Sequence, residues 1–79
     1  MDYPPEPIEY LKAGELERKI NETIEAFPER TKTIFTMNRF EGFKYHEIAD
    51  KLSISIKTVE ANMGKALKAL RLNLREYIN

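Results

Sequence analysis

Apolar residues recur along this chain every three or four positions, the spacing that places them on one face of an α-helix. No segment alternates apolar and polar residues as a half-buried strand would, and no internal repeat is present. Prolines, glycines and serines divide the periodic stretch into segments. We therefore predict an all-α domain of four helices with a C-terminal helix-turn-helix, over about residues 8–26, 28–41, 45–52 and 56–77.

The first segment carries one apolar stripe, at spacings of four, four and three residues: Leu16, Ile20, Ile24 and Phe27. Gly14 disfavours a helix that runs unbroken back to Ile8. The two glutamates that follow Gly14 favour a helix start there, because acids complement the positive N-terminal end of the helix dipole. The prolines before it favour an extended path. We therefore expect residues 1–13 to form an interdomain linker and residues 14–79 to form the folded domain.

The second segment is bounded by two residues that commonly mark helix ends. Pro28 suits the first position of a helix, where its missing amide donor does no harm. Gly42 suits a left-handed cap after the last turn. Between them lies an apolar face that we expect to be buried: Ile34, Phe35, Met37 and Phe40.

The third and fourth segments are separated only by the short stretch SISI, and two helices joined in this way predict a helix-turn-helix. Ala49 supplies the small residue that a steep helix crossing requires, with Ile48 and Leu52 on either side of it. Ser55 is the expected N-cap of the fourth helix. The buried seam of that helix is predicted to be Val59, Met63, Ala66, Leu67, Leu70 and Leu74.

Charge is divided unevenly along the chain although the formal net charge is zero. Residues 1–31 hold eight acids and four bases, whereas residues 32–79 hold nine bases and five acids. A polyanion would be attracted to the second half and repelled by the first. An ordinary solvated helix face explains the same pattern, so charge alone leaves both interpretations open.

The fourth helix presents an outward stripe opposite its apolar seam: Lys57, Glu60, Ala61, Gly64, Lys65 and Lys68. Lys57 lies in the first turn, where a cation opposes the helix dipole unless a phosphate is near. Gly64 in a helix interior costs about 1 kcal/mol relative to alanine. Close approach to a DNA backbone or base edge explains Gly64. The alternative is a glycine without a function, tolerated because tertiary contacts stabilise the helix.

Linked motifs in this part of the chain carry a family resemblance: PER opens the second helix, RFEG closes it, YHEIADKL forms the third, and SIKTVEANMGKALKALR forms the fourth. In order and spacing they resemble the C-terminal domain, region 4, of bacterial sigma-70 family factors, above all the extracytoplasmic-function group. The resemblance implies a domain that docks its recognition helix in the major groove of the promoter −35 element. It also implies a protein partner, the β flap of the RNA polymerase core.

Carried over residue by residue, the resemblance implies which side chains meet DNA. The base-facing positions become Lys57, Thr58, Glu60, Ala61, Gly64 and Lys65. The opening of the third helix would lie against phosphates: Lys44, Tyr45 and His46. Ser55 and Lys68 complete the predicted DNA-binding set. The chemistry is consistent, since lysine meets phosphate or guanine acceptors, glutamate accepts from cytosine and alanine packs on a thymine methyl. Pairing with a neighbouring lysine is the alternative for Glu60.

Three positions depart from the family pattern. Ser53 stands where glycine is common in the turn, and Lys44 replaces a usual serine cap, which predicts a weakened start of the third helix. Asn62 stands where histidine or arginine is often found, and the stripe as a whole is less basic than in many relatives. A complete factor of this group needs another domain, so we expect the chain to be a fragment. Alone, it should bind DNA weakly and with strong salt dependence.

Other classes of function fit less well. A LuxR-type output domain matches EIADKLSISIKTVE, but such domains usually lack the PER opening and the KALKALR ending. The acidic first helix, with Ile8, Leu11 and Leu16, offers a docking face for a regulator such as an anti-sigma factor, or these residues simply cap the core.

Catalysis has the least support in the sequence. His46 and the serines at 53 and 55 are not arranged with an acid as a nucleophile triad, and the chain has no cysteine. We expect no enzyme activity, metal or cofactor. No apolar run approaches the length of a membrane span, and we expect a cytoplasmic protein that associates with the nucleoid.

Overall fold

The computed structural model describes residues 7–75, with side chains from residue 14 onward. Over this range the chain forms α-helices joined by short turns, without a strand. The prediction of an all-α, four-helix domain is confirmed. No helix in the described range is long and apolar enough to cross a membrane. The helices are α1 (Pro7–Glu25), α2 (Glu29–Arg39), α3 (Tyr45–Leu52) and α4 (Ile56–Asn73).

The first helix agrees with the periodic apolar pattern over about residues 8–26 but not with the start near Gly14 that local signals favour. It starts at Pro7 and passes unbroken through Gly14, so the prediction of a start near Gly14 is wrong. A single glycine costs only about 1 kcal/mol, which a long helix tolerates, and proline is compatible with the first turn. The domain boundary at residue 14 stays a prediction, and the expected tether over residues 1–6 lies outside the described residues.

The core lies where α2, α3 and α4 meet. Its fully buried large side chains are Ile34, Ile48, Val59 and Met63. Ile24 and Phe27 extend it towards α1, and the Phe27 ring meets the Phe35 ring edge to face at 5.5 Å. α4 contacts each of the other three helices and is therefore the central element of the fold.

Both ends of α2 differ slightly from the predicted ones. Pro28 is the N-cap, one residue outside the helix, and the helix ends at Arg39. Phe40 is therefore the C-cap, and its side chain is 67% exposed, so the prediction that it is buried is wrong. It keeps only an edge contact with Phe35, at 6.2 Å between ring centroids. Gly42 has φ +82°, which confirms the predicted left-handed conformation.

The turn between α3 and α4 closes in a left-handed residue. Ser53 has φ 56° and ψ 47°. Its amide donates to Asp50 O at 3.3 Å, and the amide of Ile54 donates to Ala49 O at 3.0 Å. These two bonds are those of a Schellman motif, in which glycine is the usual left-handed residue. The left-handed conformation therefore explains why glycine is common at this position in the family pattern.

The seam of α4 is mostly as predicted. Val59, Met63 and Ala66 are buried, as is Leu74, whereas the remaining two leucines are half-buried. The helix ends at Asn73 with Leu74 as its C-cap, which is short of the predicted end near residue 77. Tyr77 itself lies outside the described residues.

Candidate nucleic-acid interface

The helix-turn-helix is built around one small residue, as predicted. Ala49 is buried in the cluster that also contains Ile48 of α3 and Val59 of α4. Ile54 in the turn and Leu52 at the end of α3 pack against that cluster as half-buried side chains. The turn therefore holds α4 against α3 by its buried side and leaves the other side of α4 towards solvent.

The outward stripe of α4 is exposed along its whole length. All six of its residues are open to solvent: Lys57, Glu60, Ala61, Gly64, Lys65 and Lys68. An added Cβ at Gly64 would meet no heavy atom within 4 Å, so core packing does not require glycine there. In the part of the chain with described side chains, Glu60 forms no ion pair with a lysine. The pairing proposed as an alternative for Glu60 is thus not made.

The first turn of α4 is capped by Ser55. Its hydroxyl accepts from the amide of Thr58 at 3.1 Å and lies 2.9 Å from the Thr58 hydroxyl. The predicted cap is confirmed. Both hydroxyls are engaged with each other, and Thr58 is half-buried, so this pair is less available to a ligand than the lysines of the stripe. The DNA-binding role of these two residues stays a prediction.

The start of α3 presents three predicted phosphate contacts. Lys44 and His46 are exposed, whereas Tyr45 is half-buried against the core. Lys44 is the N-cap and provides no side-chain cap of its own. Its backbone amide instead donates to Glu47 Oε1 at 2.8 Å, which offsets part of the weakness predicted from the missing serine. Glu47, three residues after the cap, is the sequence signal for this bond.

Asn62 is the residue whose place differs most from expectation. It is buried and does not belong to the exposed stripe, so its treatment as a surface position is wrong. Its Oδ1 accepts from the Thr31 hydroxyl at 2.7 Å, and its Nδ2 donates to Thr58 O at 2.8 Å. Position 62 lies three residues after Val59 and four before Ala66, a spacing that places it on the inward face.

Exposed acidic residues predominate on α1, whereas exposed basic residues predominate on α4. α4 and the residue after its cap carry the exposed bases Lys57, Lys65, Lys68, Arg71 and Arg75. α1 carries exposed acids at positions 15, 17, 22 and 25, one of which, Glu25, binds Lys32 of α2 at 3.1 Å. The surface that would meet a polyanion is therefore α4. In the described part of the chain no group of acids and histidines is arranged to hold a metal ion.

The sequence matches a known family over most of its folded part. Residues 17–70 match the family model for region 4 of sigma-70. This stretch takes in the C-terminal half of α1, all of α2 and α3, and α4 up to Leu70. The match confirms the resemblance and favours it over the LuxR-type alternative.

Similar proteins bear names of the same kind. The RNA polymerase sigma-H factor of Pseudomonas aeruginosa is 32% identical over 64 residues, which are 81% of this chain and 33% of that protein. SigV, an RNA polymerase sigma factor of Bacillus subtilis, is 33% identical over 73 residues, covering 87% of this chain and 44% of that protein. The ECF RNA polymerase sigma-E factor of Haemophilus influenzae is 33% identical over 60 residues, which are 76% of this chain and 32% of that protein. The chain spans less than half the length of each of these relatives.

Proposed function

The chain belongs to the sigma-70 region 4 family, and on that premise we propose that it recognises the promoter −35 element as the C-terminal domain of an extracytoplasmic-function sigma factor. In this role it supports transcription initiation by RNA polymerase. One observation carries the proposal. The helix after the turn has a buried seam that anchors it and, on its other side, a continuous exposed stripe that contains three lysines.

The stripe supplies suitable chemistry for the major groove, into which an α-helix fits. Lys57 and Lys65 reach phosphate oxygens or guanine acceptors. Glu60 accepts from a cytosine amino group, and Ala61 packs on a thymine methyl. The absence of a side chain at Gly64 allows the helix axis to approach the DNA closely, and the open space around it supports this interpretation.

The beginning of α3 supplies contacts to the DNA backbone. Lys44 and His46 are exposed beside the first turn of that helix, where they meet phosphates on one side of the groove. Phosphate contacts of this kind set the register of the protein on the duplex and carry most of the binding free energy. Lys68 adds a contact further along α4.

Protein partners follow from the same premise. We propose that the domain binds the β flap of RNA polymerase, and that it acts in the cytoplasm at the nucleoid. Phe40 is an exposed aromatic side chain at the end of α2, and aromatic residues are enriched in protein interfaces. An anti-sigma factor is a further proposed partner. Part of the docking face suggested for one, at Ile8 and Leu11, lies outside the described side chains.

A duplex titration tests the proposal. A −35-like duplex is first enriched from a randomised pool with the wild-type chain. Its binding is then measured by fluorescence anisotropy between 50 and 200 mM salt. Over this range a protein with six phosphate contacts loses about a thousandfold in affinity. We expect weak binding that falls steeply with salt and prefers the enriched duplex to its shuffled version. Nanomolar binding that does not depend on salt, or the absence of any sequence preference, would contradict the proposal.

A further inference from the structure

Buried polar side chains in this fold occur at only a few places within residues 14–75. They are Thr23, Thr31 and Asn62, and every buried side-chain polar atom in that range has a hydrogen-bond partner. All three take part in hydrogen bonds between α4 and an earlier helix. Thr31 of α2 donates to Asn62 at 2.7 Å, and Asn73 donates to Thr23 of α1 at 3.3 Å.

The orientation of the Asn62 amide follows from its partners. Its Nδ2 donates to the carbonyl oxygen of Thr58, so the atom that faces Thr31 is the acceptor Oδ1. Thr31 is 2% exposed and Asn62 is 9% exposed, so water does not replace this bond easily. The bond therefore links α2 to the second turn of α4, within the part of the helix that carries the exposed stripe.

A hydrogen bond of this kind constrains a helix differently from its apolar contacts. The core side chains Ile34, Val59 and Met63 pack through dispersion contacts that tolerate small rotations. The Thr31–Asn62 bond has a short distance and a direction, and breaking it leaves a buried polar group unpaired. Buried polar pairs fix the register of packed helices in several systems.

The rotation of α4 about its axis decides which side chains face a groove. Successive residues of an α-helix are about 100° apart, so a turn of a few tens of degrees moves the stripe by a fraction of one residue. Ala61, which lies on the stripe, is the direct neighbour of Asn62. If the bond at Asn62 were lost and α4 rotated, the base-facing positions beside it would be displaced.

We infer that Thr31 and Asn62 are positioning residues for DNA recognition, because their hydrogen bond sets the rotation of α4 and thus the base-facing side of its stripe. The inference rests on the proposed function of that stripe. Neither side chain touches DNA in this arrangement, since both are buried between α2 and α4.

Two variants separate positioning from stability. Thr31→Val preserves volume but leaves Asn62 Oδ1 without its donor, so both stability and sequence preference should fall. The double variant Thr31→Val/Asn62→Leu removes both polar partners and replaces them with apolar groups of similar size. Such a replacement is nearly neutral for stability. The double variant should therefore regain most of the melting temperature while its preference for the enriched duplex over the shuffled duplex stays reduced.

Thr23→Val provides the matched control. It removes the other threonine–asparagine bond, which holds the last residue of α4 and lies away from the stripe. This variant should lose stability and keep the wild-type sequence preference. For the double variant we expect a loss of preference of about fivefold or more, the size of one misplaced base contact. Affinity for the shuffled duplex should be unchanged, because the exposed lysines remain.

Residual dipolar couplings of the α4 amides, measured without DNA, supply the independent readout. The double variant should show α4 reoriented relative to α2, and Thr23→Val should not reorient the first turns of α4. A double variant with the wild-type preference, or with unchanged couplings, would overturn the inference. A wild-type chain that enriches no sequence from the pool would overturn the proposed function instead, and the couplings would still decide whether the bond sets the rotation.

Discussion

The backbone amide of Lys44 donates to Glu47 Oε1 at 2.8 Å, so α3 is capped by a residue from its own first turn. This is one half of a capping box, in which the third helical residue reaches back to the cap. Glu47→Ala should lower the free energy of unfolding by about 0.5 to 1 kcal/mol. Glu47→Gln keeps an acceptor and should lose less. Urea denaturation of both variants checks this, and equal losses would contradict the capping role.

Ser53 adopts a left-handed conformation that glycine adopts without steric strain. Ser53→Gly should raise the free energy of unfolding by about 0.5 to 1 kcal/mol, since the relief of strain exceeds the added chain entropy of the unfolded state. Gly42→Ala is the converse control at φ +82° and should destabilise the domain. Thermal denaturation measures both shifts. Destabilisation by Ser53→Gly would show that the serine makes a contribution beyond its backbone.

Gly64 has open space around it, so a methyl group fits there without a clash. Gly64→Ala should therefore stabilise the domain by about 1 kcal/mol through helix propensity alone. If the helix approaches DNA closely at this point, the same variant should bind the enriched duplex more weakly. Circular dichroism and anisotropy measure the two effects separately. Unchanged affinity in a stabilised variant would exclude the close approach and show that Gly64 has no role in DNA binding.

The lysines of the stripe should contribute to binding through phosphates. Lys57→Ala and Lys65→Ala should each weaken binding of the enriched and shuffled duplexes to a similar degree, and each should reduce the slope of log K against log salt by about 0.9. Lys32→Ala is the control, because Lys32 lies on α2 and binds Glu25. A lysine variant that loses affinity only for the enriched duplex would instead contact a base.

Phe35 and Phe40 touch each other but lie in different surroundings. Phe35 is 5% exposed in the core, whereas Phe40 is 67% exposed after the end of α2. Phe35→Ala should cost about 3 to 5 kcal/mol and Phe40→Ala about 1 kcal/mol or less. Denaturant titrations of the two variants compare them directly. A large loss in Phe40→Ala would mean that its edge contact with Phe35 stabilises the core.

Local signals predict the helix-turn-helix well, because its turn is short and its residues act on their nearest neighbours. The bounds predicted for α3 agree with the structure, and the Ser55 cap depends only on residues three positions away. The outward stripe is also predicted correctly, since a helix with one strong apolar seam leaves only one side for solvent. Each of these features depends on the order of residues within one or two helical turns.

Features that depend on distant parts of the chain were predicted poorly. The spacing of Asn62 from Val59 and Ala66 places it on the inward face, but its partner Thr31 lies far earlier in the sequence, and no local signal identifies that donor. Phe40 is exposed because α2 ends one residue before it and the chain turns at Gly42. The helix over about residues 8–26 is predicted by the apolar period, whereas the start near Gly14 favoured by local signals is not observed.

α4 is at once the centre of the fold and the carrier of the candidate DNA-reading surface, and these two tasks use opposite sides of the helix. Substitutions on the outer side leave the buried seam intact, so the target of the proposed DNA-reading surface can change during evolution with little loss of folding stability. Substitutions on the inner side have no such freedom. A lineage of such domains would accordingly diversify its targets by exchanging a handful of outer residues on an otherwise conserved scaffold, and the same exchange offers a direct route to retargeting by design.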